Sequence, residues 1–405
     1  MKQRLAYLDN LKVLLVAGVI AGHAAITYGL DGSWYLESYD KMADALVPAL
    51  TVVLGVGWLF GLGLFFLIAG RLSGPSLDRK GPGRFAYDRL LRLGIPLIGY
   101  TLVVSPFLEY VDYRWNGDGE GPLWPFVREQ VWHLAPGPTW FLEALLVFSL
   151  GYALLRRVRR ESNAPARKPL RGRHVAATAV AIAAVSFTVR FVFPLGSEQL
   201  HLQLSVFPQY LILFSLGAAA GRREWLETLT PTLRRHCAIA GAVAALALPV
   251  VLLAGGVFGG DGGGHRFEGG WHWQAAALAL IEGVLATCVS LWAIQRFRRR
   301  HNNLRPLARR MAPTAYGAFI VHPPVLVGLA LAVQPLPVPA ELKFIVVLGA
   351  GVAGSFALAG LASRAASIAR IVGTVPPAVN PSADRGSGRA VSRSRLSVAA
   401  CRSDA

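Results

Sequence analysis

The sequence predicts an all-α fold: a polytopic transmembrane helix bundle of about ten spans with both termini cytoplasmic. Three observations predict it. The 405-residue chain is 54% hydrophobic and only 16% charged, whereas a soluble chain carries about a quarter charged residues. Apolar runs long enough to cross a bilayer recur from one end to the other. The basic residues alternate with those runs. With residue 1 inside, the inner segments and the helix ends adjoining them hold 35 of the 41 Lys and Arg, and the outer loops hold four: Lys41, Arg114, Arg128 and Arg266. This is the positive-inside asymmetry, and it supports an even number of spans. The net charge of +18 is therefore a record of topology. Divided among short membrane-side loops, it points to a lipid bilayer as partner and to no nucleic acid.

The first span, 8–29, is too long for a cleavable signal and holds polar residues a signal lacks. Span 48–70 leads into a basic inner loop, 71–89, and span 90–110 follows. The outer loop 111–137 carries Trp115, Trp124 and Trp132 with Asp118 and other carboxylates, a composition suited to the interface. Spans 138–155, 175–194, 205–221 and 237–258 come next, and the loop 259–272 is Gly-rich and flexible. Spans 273–295, 313–333 and 342–363 complete the set. Prolines inside spans are compatible with helix, because neighbouring helices satisfy the freed backbone groups. One integral membrane domain, 1–370, is thus followed by a Pro/Ser/Arg-rich tail, 371–405, that reads as disordered.

Signatures of soluble enzymes are missing: there is no Gly-x-Ser-x-Gly elbow, no phosphate loop and no His-Glu-x-x-His zinc motif. His265 and His272 share an outer loop without the ligand set of a metal site, so no metal is expected. Polar residues inside spans are then the place to look for chemistry, since ionisable groups in a bilayer are costly. These are Lys12, His23, Glu143, Glu282 and His322. Lys12 and His23 lie eleven residues, or three turns, apart, so they share a helix face about 16 Å apart along the axis. Glu282 reads as a packing residue or half of a salt link.

Five segments, taken together, resemble the membrane acyltransferase-3 family. Tyr7-Leu8-Asp9-Asn10-Leu11-Lys12 followed by His23 resembles its first helix, Leu-Asp-x-Leu-Arg and then His. Leu64 to Gly70 is similar to its Phe-Phe-x-x-Ser-Gly element, and Arg89-Leu90-Leu91-Arg92 running into Pro96 resembles its basic loop before span 3. Pro138-Thr139-Trp140-Phe141-Leu142-Glu143 resembles its Leu-Trp-Phe-Leu element. Ala315-Tyr316 through His322-Pro323 resembles its Tyr-x-x-Tyr-Leu-x-His-x-Pro. Lys12 stands where the family has Arg, which keeps the charge and loses the bidentate fork. Ala69 stands where the family has Ser, which speaks against a catalytic serine there.

The resemblance implies an acyltransferase of the cytoplasmic membrane that moves an acyl group, acetyl or succinyl, from cytoplasmic acyl-CoA to a hydroxyl of a glycan or lipid-linked saccharide. Acyl-CoA is then a donor substrate, and no cofactor is bound permanently. The catalytic candidates are His23, as general base or acyl carrier, with His322 and Glu143 as orienting or proton-handling groups. Lys12, Arg89 and Arg92 are candidates for donor phosphates, and Trp140 and Tyr316 for the acceptor. The competing expectation from ten spans with scattered protonatable residues is a proton-coupled secondary transporter or exporter.

Overall fold

The computed structural model describes residues 5–117, 119–130, 135–159, 170–223, 225, 229–257, 263–303 and 306–364. The predicted tail 371–405, Asp118 and Trp132 lie outside the described residues. Among the described residues there are no β-strands, and ten helices are long and apolar enough to cross a membrane. They are α1 (Ala6–Thr27), α2 (Val47–Lys80), α3 (Pro82–Trp115), α4 (Gly137–Arg159), α5 (Gly172–Val189), α6 (Leu204–Gly221), α7 (Pro231–Ala254), α8 (Trp273–Arg300), α9 (Ala315–Val333) and α10 (Ala340–Arg364). Each predicted span falls on one of them.

The connections differ from expectation. The segment 71–89 is helix, not loop: α2 runs on to Lys80, and Gly81 with φ of 73° is all that separates it from α3. A left-handed turn of this kind favours glycine. A Lys80–Asp88 ion pair closes the hairpin. The loop 111–137 is also shorter than predicted, because α3 continues to Trp115 and Leu123–Gln130 forms a helix of its own. The polar composition of these segments hid helices that extend beyond the apolar window.

Helix packing follows small residues. A Cβ on Gly70 of α2 would stand 2.1 Å from the Phe214 carbonyl oxygen, and one on Gly217 of α6 would stand 2.2 Å from that of Leu67. Glycines thus let the α2 and α6 backbones touch, the usual device between membrane helices. Helices α9 and α10 form a second close pair, and α5 packs on α8. The main core runs between α1, α2, α4, α6, α9 and α10, from Val16 and Ile20 through Phe66 and Phe141 to Phe319 and Phe356.

Two features of this frame position functional groups. Helix α3 winds through π-helical turns at Leu90–Gly94 and Tyr100–Val104, and α8 through one at Leu285–Val289. Such turns often mark functional segments. The loop between α1 and α2 is pinned from both sides. Ser38 Oγ donates to Gln334 Oε1 (3.0 Å), and Lys343 Nζ pairs with Asp40 (2.5 Å). On the other side, Trp115 Nε1 donates to the Glu37 carbonyl (3.2 Å). Trp115 therefore ties a loop down, beyond the interfacial role its composition suggested.

Candidate active site

The His-Pro sequence on α9 sets up the site. In a helix the N–H of residue 323 would bond the carbonyl of residue 319. Residue 323 is proline and has no N–H. The Phe319 carbonyl is taken instead by His322 Nδ1, 2.6 Å away. A carbonyl only accepts, so His322 Nδ1 carries the proton and, in the neutral ring, Nε2 is a bare acceptor. That nitrogen lies 2.9 Å from Nδ1 of His23 on α1. His23 Nδ1–H must then be the donor. The consequence is a directed relay, His23 to His322 to Phe319, which leaves His23 Nε2 as the free base.

His23 is held from one face as well. The indole of Trp34 stacks on it, with centroids 4.2 Å apart and planes 12° apart. Trp34 is buried and sits on the pinned α1–α2 loop. No sequence pattern marked it, because it lies outside every span. His322 is fully buried, and His23 is partly buried. Thr27 Oγ1 donates to the His23 carbonyl (3.1 Å) and steadies the last turn of α1.

His23 opens into a cavity of about 1060 Å³. Its walls include Trp34, Trp140, Tyr210 and Gln209, with Arg190 and Glu282. Trp140 thus lines the same cavity as His23. The loop residues that line it, around 31–35, at 135 and around 195–203 and 264–268, follow odd-numbered helices, and 109–113 is the end of α3, so they share one end of the bundle. Within the 195–203 loop, Leu200 and His201 have φ of 51° and 63°, and His201 reaches the cavity. Non-glycine residues held in this region cost about 1–3 kcal/mol, which is seen most often at functional sites. Glu109 is a further wall residue the sequence did not single out. It accepts from the Ala135 amide (3.3 Å), and its carboxyl lies 3.0 Å from Ser105 Oγ.

The remaining candidates fall into two groups away from this cavity. Arg89 Nη2 donates to Ser73 Oγ (3.0 Å), which donates in turn to the Ala69 carbonyl (2.7 Å). The guanidinium lies over the Phe85 ring at 4.9 Å. Close by on α3, Pro96 lacks the N–H that would bond the Arg92 carbonyl in an α-helix, and the Tyr316 hydroxyl donates there at 2.7 Å. Tyr316 therefore lies with the arginines of α3, six residues or about 9 Å along α9 from His322, and does not line the cavity where Trp140 lies. Lys12 pairs with Asp9 at 2.8 Å one turn away, and Asn10 Nδ2 donates to the His301 carbonyl (2.7 Å). The hydrogen-bond partner of His23 is His322, and Glu143 lies in the first turn of the main helical run of α4.

Residues 5–364 match the family model described as an acyltransferase domain, of the acyltransferase-3 type. The chain belongs to the acyltransferase-3 family. It is an acyltransferase of a membrane, with ten candidate spans and a histidine pair at one end of a large cavity. No curated protein and no solved structure matches the chain. In this acyltransferase-3 protein the pair leaves one imidazole nitrogen, Nε2 of His23, without a partner among the described residues. The Glu282 salt link expected from sequence is present, with Arg190 as its partner.

Proposed function

We propose that this acyltransferase moves an acetyl or succinyl group from cytoplasmic acyl-CoA to a hydroxyl of a glycan or lipid-linked saccharide at the outer face of the cytoplasmic membrane. One observation carries the reading: the hydrogen-bond relay that leaves Nε2 of His23, a residue of the cavity wall, without a partner among the described residues. The acceptor hydroxyl gives its proton to His23 Nε2 as its oxygen attacks the thioester carbonyl. The carbon–sulfur bond breaks, and the CoA sulfur takes that proton back. The imidazolium that forms in between is stabilised through Nδ1–H by His322, as an orienting partner does in a hydrolase triad.

The donor's phosphates are assigned to the inner ends of α2 and α3. Arg89 and Arg92 lie there beside Tyr316, with Lys12 at the same end of α1. Guanidinium groups suit phosphate by their planar donors. The acyl thioester then has to reach from this cluster toward His23 along α1 and α9. Arg89→Ala and Arg92→Ala are each expected to raise the KM for acyl-CoA by roughly tenfold or more, since charge-assisted contacts contribute about 1.5–3 kcal/mol. Wild-type donor dependence in both variants would reduce these arginines to topology markers.

The orientation has its own test. A periplasmic reporter fused after residue 363 is expected to be inactive, because the basic split places that end inside. An active reporter would overturn the mapping and reverse the donor and acceptor ends. The reaction itself is tested by supplying radiolabelled acetyl- or succinyl-CoA to membranes that contain the protein. Label in glycan or lipid supports the reading. Label that stays in CoA, or substrate movement independent of acyl-CoA, rejects it in favour of transport.

A further inference from the structure

Across the cavity's lining lies a group that the relay does not use. Arg190, just past the end of α5, is 1% exposed, and Glu282 of α8 is 0% exposed. Arg190 Nη2 pairs with Glu282 Oε2, and Ser186 Oγ lies 3.4 Å from Glu282 Oε1. The pair forms because α5 and α8 touch: a Cβ on Gly283 would stand 2.2 Å from the Ala179 carbonyl oxygen. Nε and Nη1 of the same guanidinium are buried and have no partner among the described residues. Buried donors left unmatched are costly and uncommon. Both residues line the cavity that His23 opens into.

The charges of the lining limit what can satisfy those donors. Asp31, Glu109, Asp112, Glu198, Glu268 and Glu282 contribute carboxyl groups, against Arg190 as the one guanidinium and no lysine among the described lining residues. An anionic ligand would meet a net excess of carboxyl groups, and like-charge contacts are a common means of exclusion. A pair of neighbouring hydroxyls meets none. Its oxygens accept from Nε–H and Nη1–H, and its protons are available to the Glu282 carboxylate. Trp140, half-buried in the same wall and backed by Tyr210, offers an aromatic surface to the apolar side of a ring-shaped polyol.

We propose that the Arg190–Glu282 pair is a specificity-determining subsite of this cavity, which takes neighbouring hydroxyls of an uncharged acceptor, while the carboxyl-rich lining turns away acceptors bearing phosphate, sulfate or carboxylate. The inference rests on the acyl-transfer reading in calling the occupant an acceptor. The binding chemistry itself does not depend on it.

The test uses the purified full chain in detergent and follows tryptophan fluorescence on titration. The probes are neutral gluco-, galacto- and manno-oligosaccharides of five residues and oligogalacturonate of the same length. Neutral probes are expected to bind at least tenfold more tightly than oligogalacturonate at low salt, with the gap narrowing as salt screens the lining. Arg190→Lys keeps a cation beside Glu282 and removes the forked donors. It is expected to weaken neutral binding tenfold or more while the thermal unfolding profile is retained. Should it not fold, the double variant Arg190→Gln with Glu282→Gln removes both charges together and is expected to show the same loss. Equal binding of oligogalacturonate, wild-type affinity in a folded variant, or no binding of any neutral probe each overturns the proposal. Acyl transfer is measured in parallel. Arg190-dependent binding without transfer from acyl-CoA leaves the subsite standing and rejects the acyl-transfer reading. Transfer to acidic acceptors at the neutral rate does the reverse.

Discussion

His23→Ala is expected to insert normally and lose about 10²- to 10⁴-fold in acyl transfer, the usual contribution of a positioned base. His23→Gln is expected to be equally inactive. Its amide can replace the hydrogen bond to His322 Nε2, which lies 2.9 Å from His23 Nδ1, but it cannot take up and hold a proton. The pair of variants separates chemistry from packing. A histidine that merely links two membrane helices contributes on average about 0.6 kcal/mol, and its glutamine variant would behave like the native protein. Rates of acyl transfer per mole of folded protein decide the matter. A near-native rate for His23→Gln would reject His23 as the base and leave the acyltransferase assignment intact, since that rests on the match over residues 5–364.

The second large effect concerns His322, which hydrogen-bonds His23 and is proposed as a positioning residue that acts through it. In His322→Ala, His23 Nδ1–H loses its acceptor, and the ring is free to turn or to carry its proton on Nε2. The loss of an orienting partner is expected to cost about 10²- to 10⁴-fold in kcat. The KM for the acceptor is expected to stay unchanged, because His322 is fully buried behind His23. His322→Gln is expected to recover at least tenfold over the alanine variant, since the amide oxygen can accept from His23 Nδ1–H. A stability role alone would lower folded yield in both variants without this split between kcat and KM. Equal rates for the alanine and glutamine variants would sink the relay. A supporting measurement is Pro323→Ala. It restores an N–H to compete for the Phe319 carbonyl and should depress kcat with little effect on either KM.

Much of this was legible in the sequence, for identifiable reasons. A bilayer imposes helix length and apolar composition on every span, so ten helices could be counted from hydropathy. The histidines stood out because polar groups are rare there, and ordered motifs such as Ala315–His322 gave the family. The boundaries were less legible. The hairpin at Gly81 was hidden because α2 and α3 extend beyond the apolar window as amphipathic helix. Trp34 and Glu109 were missed, the first as a loop residue and the second as one carboxylate among several near the end of a span. Arg190 belongs to no motif and sits at the end of a span, where a basic residue is ordinary.

The sequence by itself determined what is local or what the solvent imposes: ten apolar helices, an asymmetric charge pattern, two prolines that free the carbonyls of Phe319 and Arg92, and a histidine next to the first of them. Only the tertiary structure decided which groups meet. His23 and His322 are 299 residues apart, and Arg190 and Glu282 are 92 residues apart. No periodicity or spacing encodes such pairs, because they depend on how helices rotate and approach one another. That approach is set by small residues such as Gly70, Gly217 and Gly283 across the whole bundle. It fixes which carboxyl groups line the cavity and why His23 meets His322. A hydrogen bond is short and directional, so its partners emerge only once the backbones that carry them are in place.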